Sequence, residues 1–224
     1  MSMKLIAPVK NLVLKLHPNG DVSQWFGENP AVYAQFGILG HNGIDIVRPW
    51  GEAMYAIESA QVVEVKLEAG GFGKHVRIIS TAKNKNGYYH EWTYGHCSSI
   101  SVNVGDYVTR GQEISKMGNT GFVIVGKAPA WKTNPYAGTH LHLGLREMIK
   151  PRKGGWTYPN STLVLDVVNY GNGYKGAIDP VATIQALAVA EMVVNTTPVA
   201  VQIETLQLSV IAALKEWIKL LIKK

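Results

Sequence analysis

The feature that most constrains the fold is a recurring series of short apolar or alternating segments, each closed by turn-forming residues. Val62–Leu67, Val76–Ile79, Tyr88–Tyr94, Leu141–Leu145 and Leu163–Val168 are punctuated by Gly70-Gly71, Asn86-Gly87, Gly105-Asp106, Gly118-Asn119 and Gly154-Gly155. Runs of this length, rich in Val, Ile, Tyr and Trp and bounded by Gly and Asn, read as strands. The chain has 23 glycines in 224 residues and only 17% charged side chains, which excludes a helical bundle or a disordered chain for its main body. The expected class is mainly β, an antiparallel sheet. Asn86-Gly87 between two apolar segments predicts a type I′ hairpin turn. Residues 122–138, with Pro129, Trp131, Pro135 and Gly138, predict an irregular surface loop.

The character changes after Asp179-Pro180, which places a boundary between a domain at residues 1–180 and a helical extension at 181–224. Val181–Val194 is Ala-rich, with Asp179 as its N-cap and Pro180 at the first helical position. Asn195-Thr196-Thr197-Pro198 breaks that helix. Beyond it, Ile203, Leu206, Val210, Leu214, Trp217 and Leu221 form the apolar stripe of an amphipathic C-terminal helix, and Lys215, Lys219 and Lys223 stack on another face. Such a stripe must be covered. The basic face beside Trp217 suits an anionic membrane surface, the 3-4 spacing suits self-association, and packing on the body is the third choice.

Lys and Arg exceed Asp and Glu by 22 to 16, a net charge of +6. That permits a polyanionic partner (nucleic acid, an anionic membrane or a teichoic-acid-bearing wall) without choosing among them. A single cysteine, Cys97, excludes an intrachain disulfide and a Cys-rich zinc site. The opening MSMKLIAPVKNLVLKLHPNG does not read as a signal peptide, because Pro8 and Lys10 interrupt its apolar run. No apolar run is long enough for a membrane-spanning helix.

Four histidines stand out. His41 and Asp45 form H-x-x-x-D before an apolar run, His96 ends a Tyr/Trp-rich segment, and His140-Leu141-His142 lies in the alternating THLHLGL. Residues two apart in a strand share a face, so His140 and His142 are presented side by side. Two imidazoles on one face, with a distant His and Asp, compose a zinc site. Three protein ligands with an open position make it catalytic, and four make it structural. His17, His75 and His90 have no such setting and read as surface or turn residues.

The stretches QWFGENP, GHNGIDIVRPWGEAMYAIESAQVVEV, GGFGKHVRII, YGHCSSISVNVGDYVTRGQEISKMGNTG and THLHLGL occur in this order within roughly residues 20–147. Together they resemble the lysostaphin-type zinc endopeptidases, which cut peptidoglycan peptides. The resemblance implies an antiparallel sheet carrying a zinc-bearing groove, with His41, Asp45 and His142 holding Zn²⁺ and His140 and His96 as the catalytic histidines. Two neutral imidazoles and one carboxylate leave the metal a net positive charge and a free position, which acidifies water and polarises a carbonyl. It further implies bacterial peptidoglycan as the partner, with no nucleic acid, and action at the cell wall, extracellular or phage-delivered. The alternative is a catalytically inactive wall-binding or regulatory member of the same family. Such members typically lose zinc ligands, and this chain keeps them all. Phe122–Gly138 is longer than the family pattern, which leaves substrate preference open.

Three other readings carry less weight. Cys97 directly follows His96, so in a strand the two point to opposite faces and make a poor cysteine-peptidase dyad. Val102–Ile114 resembles the small barrels that carry biotin or lipoate, but Lys116 reads as a solvated turn residue. Gly70-Gly71-Phe72-Gly73 lacks the setting of a phosphate loop and reads as turn glycine.

Overall fold

The computed structural model describes residues 7–68, 70–125, 128–130, 134–149 and 166–196. The amphipathic helix expected at 199–224 and residues 163–165 of the segment Leu163–Val168 lie outside the described residues.

Strands β1 (Val22–Gln24), β2 (Ile44–Ile46), β12 (Leu141–Met148), β6 (Tyr89–Gly95), β5 (Lys74–Lys83), β4 (Ala60–Leu67) and β8 (Tyr107–Val108) lie in that order in one antiparallel sheet, and β13 (Ala177–Ile178) pairs with β12. Strands β3 (Ala53–Tyr55), β9 (Glu113–Met117) and β7 (Cys97–Ile100) form a second, three-stranded sheet. The expected mainly β, antiparallel class is what the chain adopts.

Period-two alternation divides the large sheet into two chemically distinct faces. Leu141, Leu143 and Leu145 of β12, Trp92 and Tyr94 of β6, and Val76 and Ile78 of β5 point inward, where they bury Met54, Ile57, Cys97, Ile114 and Met117. The intervening residues His142, Arg146, His75 and Arg77 line a groove on the opposite face. A smaller apolar cluster of Val63, Ile79, Met148 and Val167 gathers separately from that core.

Two expectations need correction. His75 and His90 are buried strand residues of β5 and β6, not surface or turn residues. Each is held in its strand by polar partners. His75 donates Nδ1–H to the Gly73 carbonyl at 2.9 Å, and His90 meets Glu58 Oε2 at 2.8 Å. His17 is exposed, as its setting implied. The β5–β6 turn is not type I′, which needs positive φ at both central residues. Gly87 N–H donates to Asn84 O at 3.0 Å, and in this turn only Gly87, at φ 84°, is left-handed. The Asn84 side chain accepts from the amides of Asn86 and Tyr88, which fixes a type I turn closed by a glycine.

The region expected as an irregular loop carries a short hairpin, β10 (Ile124–Val125) with β11 (Ala128–Pro129). A one-turn helix α1 (Pro30–Tyr33) and a 3₁₀ turn (Ala34–Phe36) precede His41. Helix α2 (Val181–Thr196) starts with Asp179 Oδ1 accepting from the Val181 amide at 3.0 Å. Its first turns join the core through Ile184, with Val181 and Leu187 packed alongside, and Arg110 donates to the Leu187 carbonyl at 3.1 Å.

Candidate metal centre

Strand register assembles the site. Strand β12 runs between β2 and β6, so His142 faces Asp45 on one side and Gly95 on the other. Asp45 is thereby delivered by cross-strand pairing, and His41 by the bend that enters β2. The atoms His41 Nε2, Asp45 Oδ1 and His142 Nδ1 converge: 2.9 Å between the two nitrogens, 3.1 Å from His41 to Asp45 and 3.2 Å from His142 to Asp45. All three residues are buried. Gly43, in the middle of H-x-x-x-D, is required by contact. A Cβ there would lie 2.6 Å from the Leu143 carbonyl and 2.8 Å from the His142 ring.

Backbone carbonyls set the histidine tautomers, because a carbonyl only accepts. Nδ1–H donates to Trp25 O in His41 (3.1 Å), to Thr120 O in His96 (2.7 Å) and to Gly138 O in His140 (2.7 Å). Each neutral ring therefore carries its lone pair on Nε2. His142 is turned the other way, with Nδ1 toward Asp45 and Nε2 buried without a partner among the described residues.

This donor set fits a metal ion. His41 Nε2 and Asp45 Oδ1 are both acceptors, and they face each other across 3.1 Å. One proton on His142 Nδ1 satisfies only one of them fully, whereas a cation among the three satisfies all. Tetrahedral zinc with bonds of about 2.0–2.2 Å holds its donors roughly 3.3–3.5 Å apart, so the triangle needs to open by only a few tenths of an ångström. Burial by itself raises the Asp45 carboxyl, but the facing charges of His140 and His41 and the hydrogen bond with His142 outweigh it and hold Asp45 well below the usual range. Burial pushes His142 down to about 4, so its ring is neutral at neutral pH and keeps a single proton, which a bound cation would confine to Nε2.

His96 and His140 flank the triad with ring centroids 4.6 Å apart, and His140 Nε2 lies 3.6 Å from Asp45 Oδ2. His96 occupies the junction of β6 and β7 in a left-handed conformation, φ 60°, which is unfavourable for a residue with a Cβ. Burial, with the like charges of His140 and His142, holds its pKa well below the usual histidine value. The structure thus brings together all five polar residues singled out in the sequence.

Other residues of the site gave no sequence signal. Phe72 stacks on His142 at 4.9 Å and occupies the space left by Gly95. The Tyr33 ring lies 5.3 Å from His41, and its hydroxyl contacts Gln24 at 3.2 Å. Burial and the Asp45 charge raise the Tyr33 phenol. Aromatic contacts edge the groove, Phe36 with Phe122 at 5.2 Å and Trp50 with Tyr136 at 5.5 Å. Asn119 donates to the carbonyls of Pro135 and Ala137 and so ties the long loop to the rim. The groove has a volume of about 1550 Å³. Cys97 faces away into the core, where burial pushes its thiol up to about 12, a poor state for a nucleophile. Lys116 is a strand residue of β9 paired with Glu113 at 2.9 Å, not a turn residue.

Lysostaphin of Staphylococcus simulans is 35% identical over 82 residues, covering 37% of this chain and 16% of that protein. The uncharacterized lipoprotein YgeR of Escherichia coli (strain K12) is 36% identical over 81 residues, 36% of this chain and 30% of that protein. Each match thus spans less than a third of the relative's length. Among solved structures, the catalytic domain of the antimicrobial peptidase lysostaphin from Staphylococcus simulans shares 25% identity with a TM-score of 0.48, over 75% of this chain and 93% of that one. The model of peptidase family M23 matches residues 39–154, just over half of the chain. That span contains His41, Asp45, His96, His140 and His142, and the chain belongs to peptidase family M23.

Proposed function

We propose that this chain is a zinc-dependent endopeptidase that hydrolyses peptide bonds in the stem or cross-bridge peptides of bacterial peptidoglycan, acting at the cell wall. The observation that carries the reading is the convergence of His41, Asp45 and His142 on one point beside two further histidines whose Nδ1–H groups are committed to backbone carbonyls. The M23 family supports a metallopeptidase of this kind.

Zinc held by His41, Asp45 and His142 supplies a positive charge that acidifies water and polarises a peptide carbonyl. The protein's own groups do the rest. His140 Nε2 takes the proton of the attacking water, and Asp45, 3.6 Å away, stabilises the imidazolium that results. His96 is kept neutral by burial, so it orients the water as a hydrogen-bond acceptor. His140 then returns its proton to the leaving amine. Aromatic side chains along the rim exclude water from an extended peptide lying in the groove.

The test combines metal analysis with mass spectrometry of muropeptides released from purified walls. About one zinc per chain is expected, with sharp loss in His41→Ala, Asp45→Ala and His142→Ala. His140→Ala and His96→Ala keep the metal and lose about 10²–10⁴-fold in activity. Full zinc retention in all three triad variants refutes the metal assignment. A zinc-loaded wild-type protein that binds walls and releases nothing favours the inactive wall-binding reading.

A further inference from the structure

The groove floor continues past the metal centre along β12, and the charged side chains that line its far part are mainly cations. His142, Gly144 and Arg146 alternate on the same side of β12. Arg146 reaches only Glu91 among the described residues, through Nη1 at a long 3.4 Å, and its side chain, 15% exposed, lines the cavity. Arg77 lines the same cavity from β5, in register with Thr93 and through it with Gly144, and Lys66 adds an ammonium from β4. Their carboxylate neighbours are placed differently. Glu64 pairs with Arg77 at 3.1 Å and with Lys66 at 3.0 Å, and Glu64 and Glu91 stand on the same face as these cations, but neither carboxylate lines the cavity, and Glu91 is fully buried. The wall here shows Lys66, Arg77 and Arg146 against Glu68 alone.

We propose that this end of the groove is a carboxylate subsite, in which Arg146, supported by Arg77 and Lys66, binds a free carboxylate of a peptide lying extended along β12. The inference rests on reading the groove as a peptide site, and it deepens that reading: it selects an acidic stem peptide over a cross-bridge of neutral residues. A planar guanidinium offers paired donors that match a carboxylate. Burial weighs on the Arg146 cation, as does the like charge of Arg77, and Glu91 offsets this in part. An anion on the cavity side relieves the Arg146 guanidinium, whose one carboxylate contact is the long one to Glu91. Arg146 is four residues along the strand from His142, about 14 Å, less the reach of the side chain, so the carboxylate sits about two to four residues from the scissile bond.

The experiment compares kcat/KM of the zinc-loaded protein on synthetic peptides that carry Glu or Gln at each of those positions. Each peptide is made with a free or an amidated C-terminus, so that side-chain and terminal carboxylates are told apart. Wild type is expected to prefer an acid over its amide by tenfold or more at one position. Arg146→Gln narrows that ratio to within about twofold. Because that variant leaves Glu91 buried without its partner, Arg146→Gln/Glu91→Gln is measured as well and gives the same narrowing. Equal rates on every acid and amide pair overturn the subsite. If no peptide is cleaved, the endopeptidase reading fails, and calorimetric binding of the same peptides decides the subsite: tighter binding of the acids supports it, and equal affinity overturns it.

Discussion

Replacing Gly43 by alanine tests whether the metal triangle is held by packing. The added Cβ would lie 2.6 Å from Leu143 O and 2.8 Å from both Cε1 and Nε2 of His142. To restore even a tight contact of 3.0–3.4 Å, the imidazole must retreat by roughly 0.2–0.6 Å. It has nowhere to go, since Phe72 and His41 each pack on it with ring centroids 4.9 Å away. Leu143 O cannot yield freely either, because Leu143 pairs with Ile44 in the β2–β12 ladder. Overpacking of this kind costs about 1–3 kcal/mol, and metal ligand distances tolerate only about 0.2 Å. Gly43→Ala is therefore expected to melt several degrees lower and to bind zinc about 10–100-fold more weakly in a chelator competition. Gly144→Ala is the control. It makes the same chemical change beside the same histidine, but its Cβ would meet Thr93 Cβ at 3.4 Å and His142 Nε2 at 3.6 Å, ordinary contacts. It is expected to keep wild-type zinc affinity and to be neutral or about 0.4–1 kcal/mol more stable, through the less flexible unfolded chain. A Gly43→Ala protein that binds zinc like wild type, or a Gly144→Ala protein equally impaired, refutes the reasoning.

Three further outcomes follow from particular contacts. The fully buried Tyr94 hydroxyl accepts from Ile57 N–H and donates to Tyr55 O, each at 3.0 Å, so Tyr94→Phe orphans both and costs at least about 1–3 kcal/mol in a urea melt; an unchanged midpoint contradicts this. Burial raises Glu64, but His75, Arg77 and Lys66 outweigh it and hold its carboxyl at about 2. The unfolded state therefore takes up that proton first, and the stability present above about pH 4.5 is lost as pH falls toward 2; Glu64→Gln flattens this acid limb, and an unaltered limb assigns it elsewhere. The Cys97 thiol, buried and pushed up to about 12, is expected to resist iodoacetamide at pH 8 until the chain unfolds, which mass spectrometry reads directly.

Much of the architecture was legible because strand periodicity acts locally. Period-two runs such as Leu141–Leu145 encode both a strand and its two faces, and the seven histidines are few enough for H-x-x-x-D, His96 and H-x-H to stand out. Burial of an individual polar side chain was not legible. His75 and His90 sit in strands near Glu64 and Glu58, carboxylates brought there from other segments, and no local pattern reports such neighbours. The β5–β6 turn went the same way: the dipeptide Asn86-Gly87 permits type I′, and the Asn84 side chain decides for type I. The sequence alone supplied the chemistry of the site, its H-x-x-x-D and H-x-H motifs and the glycines that let them approach. Tertiary structure alone decided how those groups are aimed. The register of β2 and β6 against β12 fixes Asp45 and Gly95 about His142, and the carbonyls of Trp25, Thr120 and Gly138 choose which nitrogen of each histidine faces the groove. Those carbonyls belong to residues of every type, so only the fold can bring them to the imidazoles they orient.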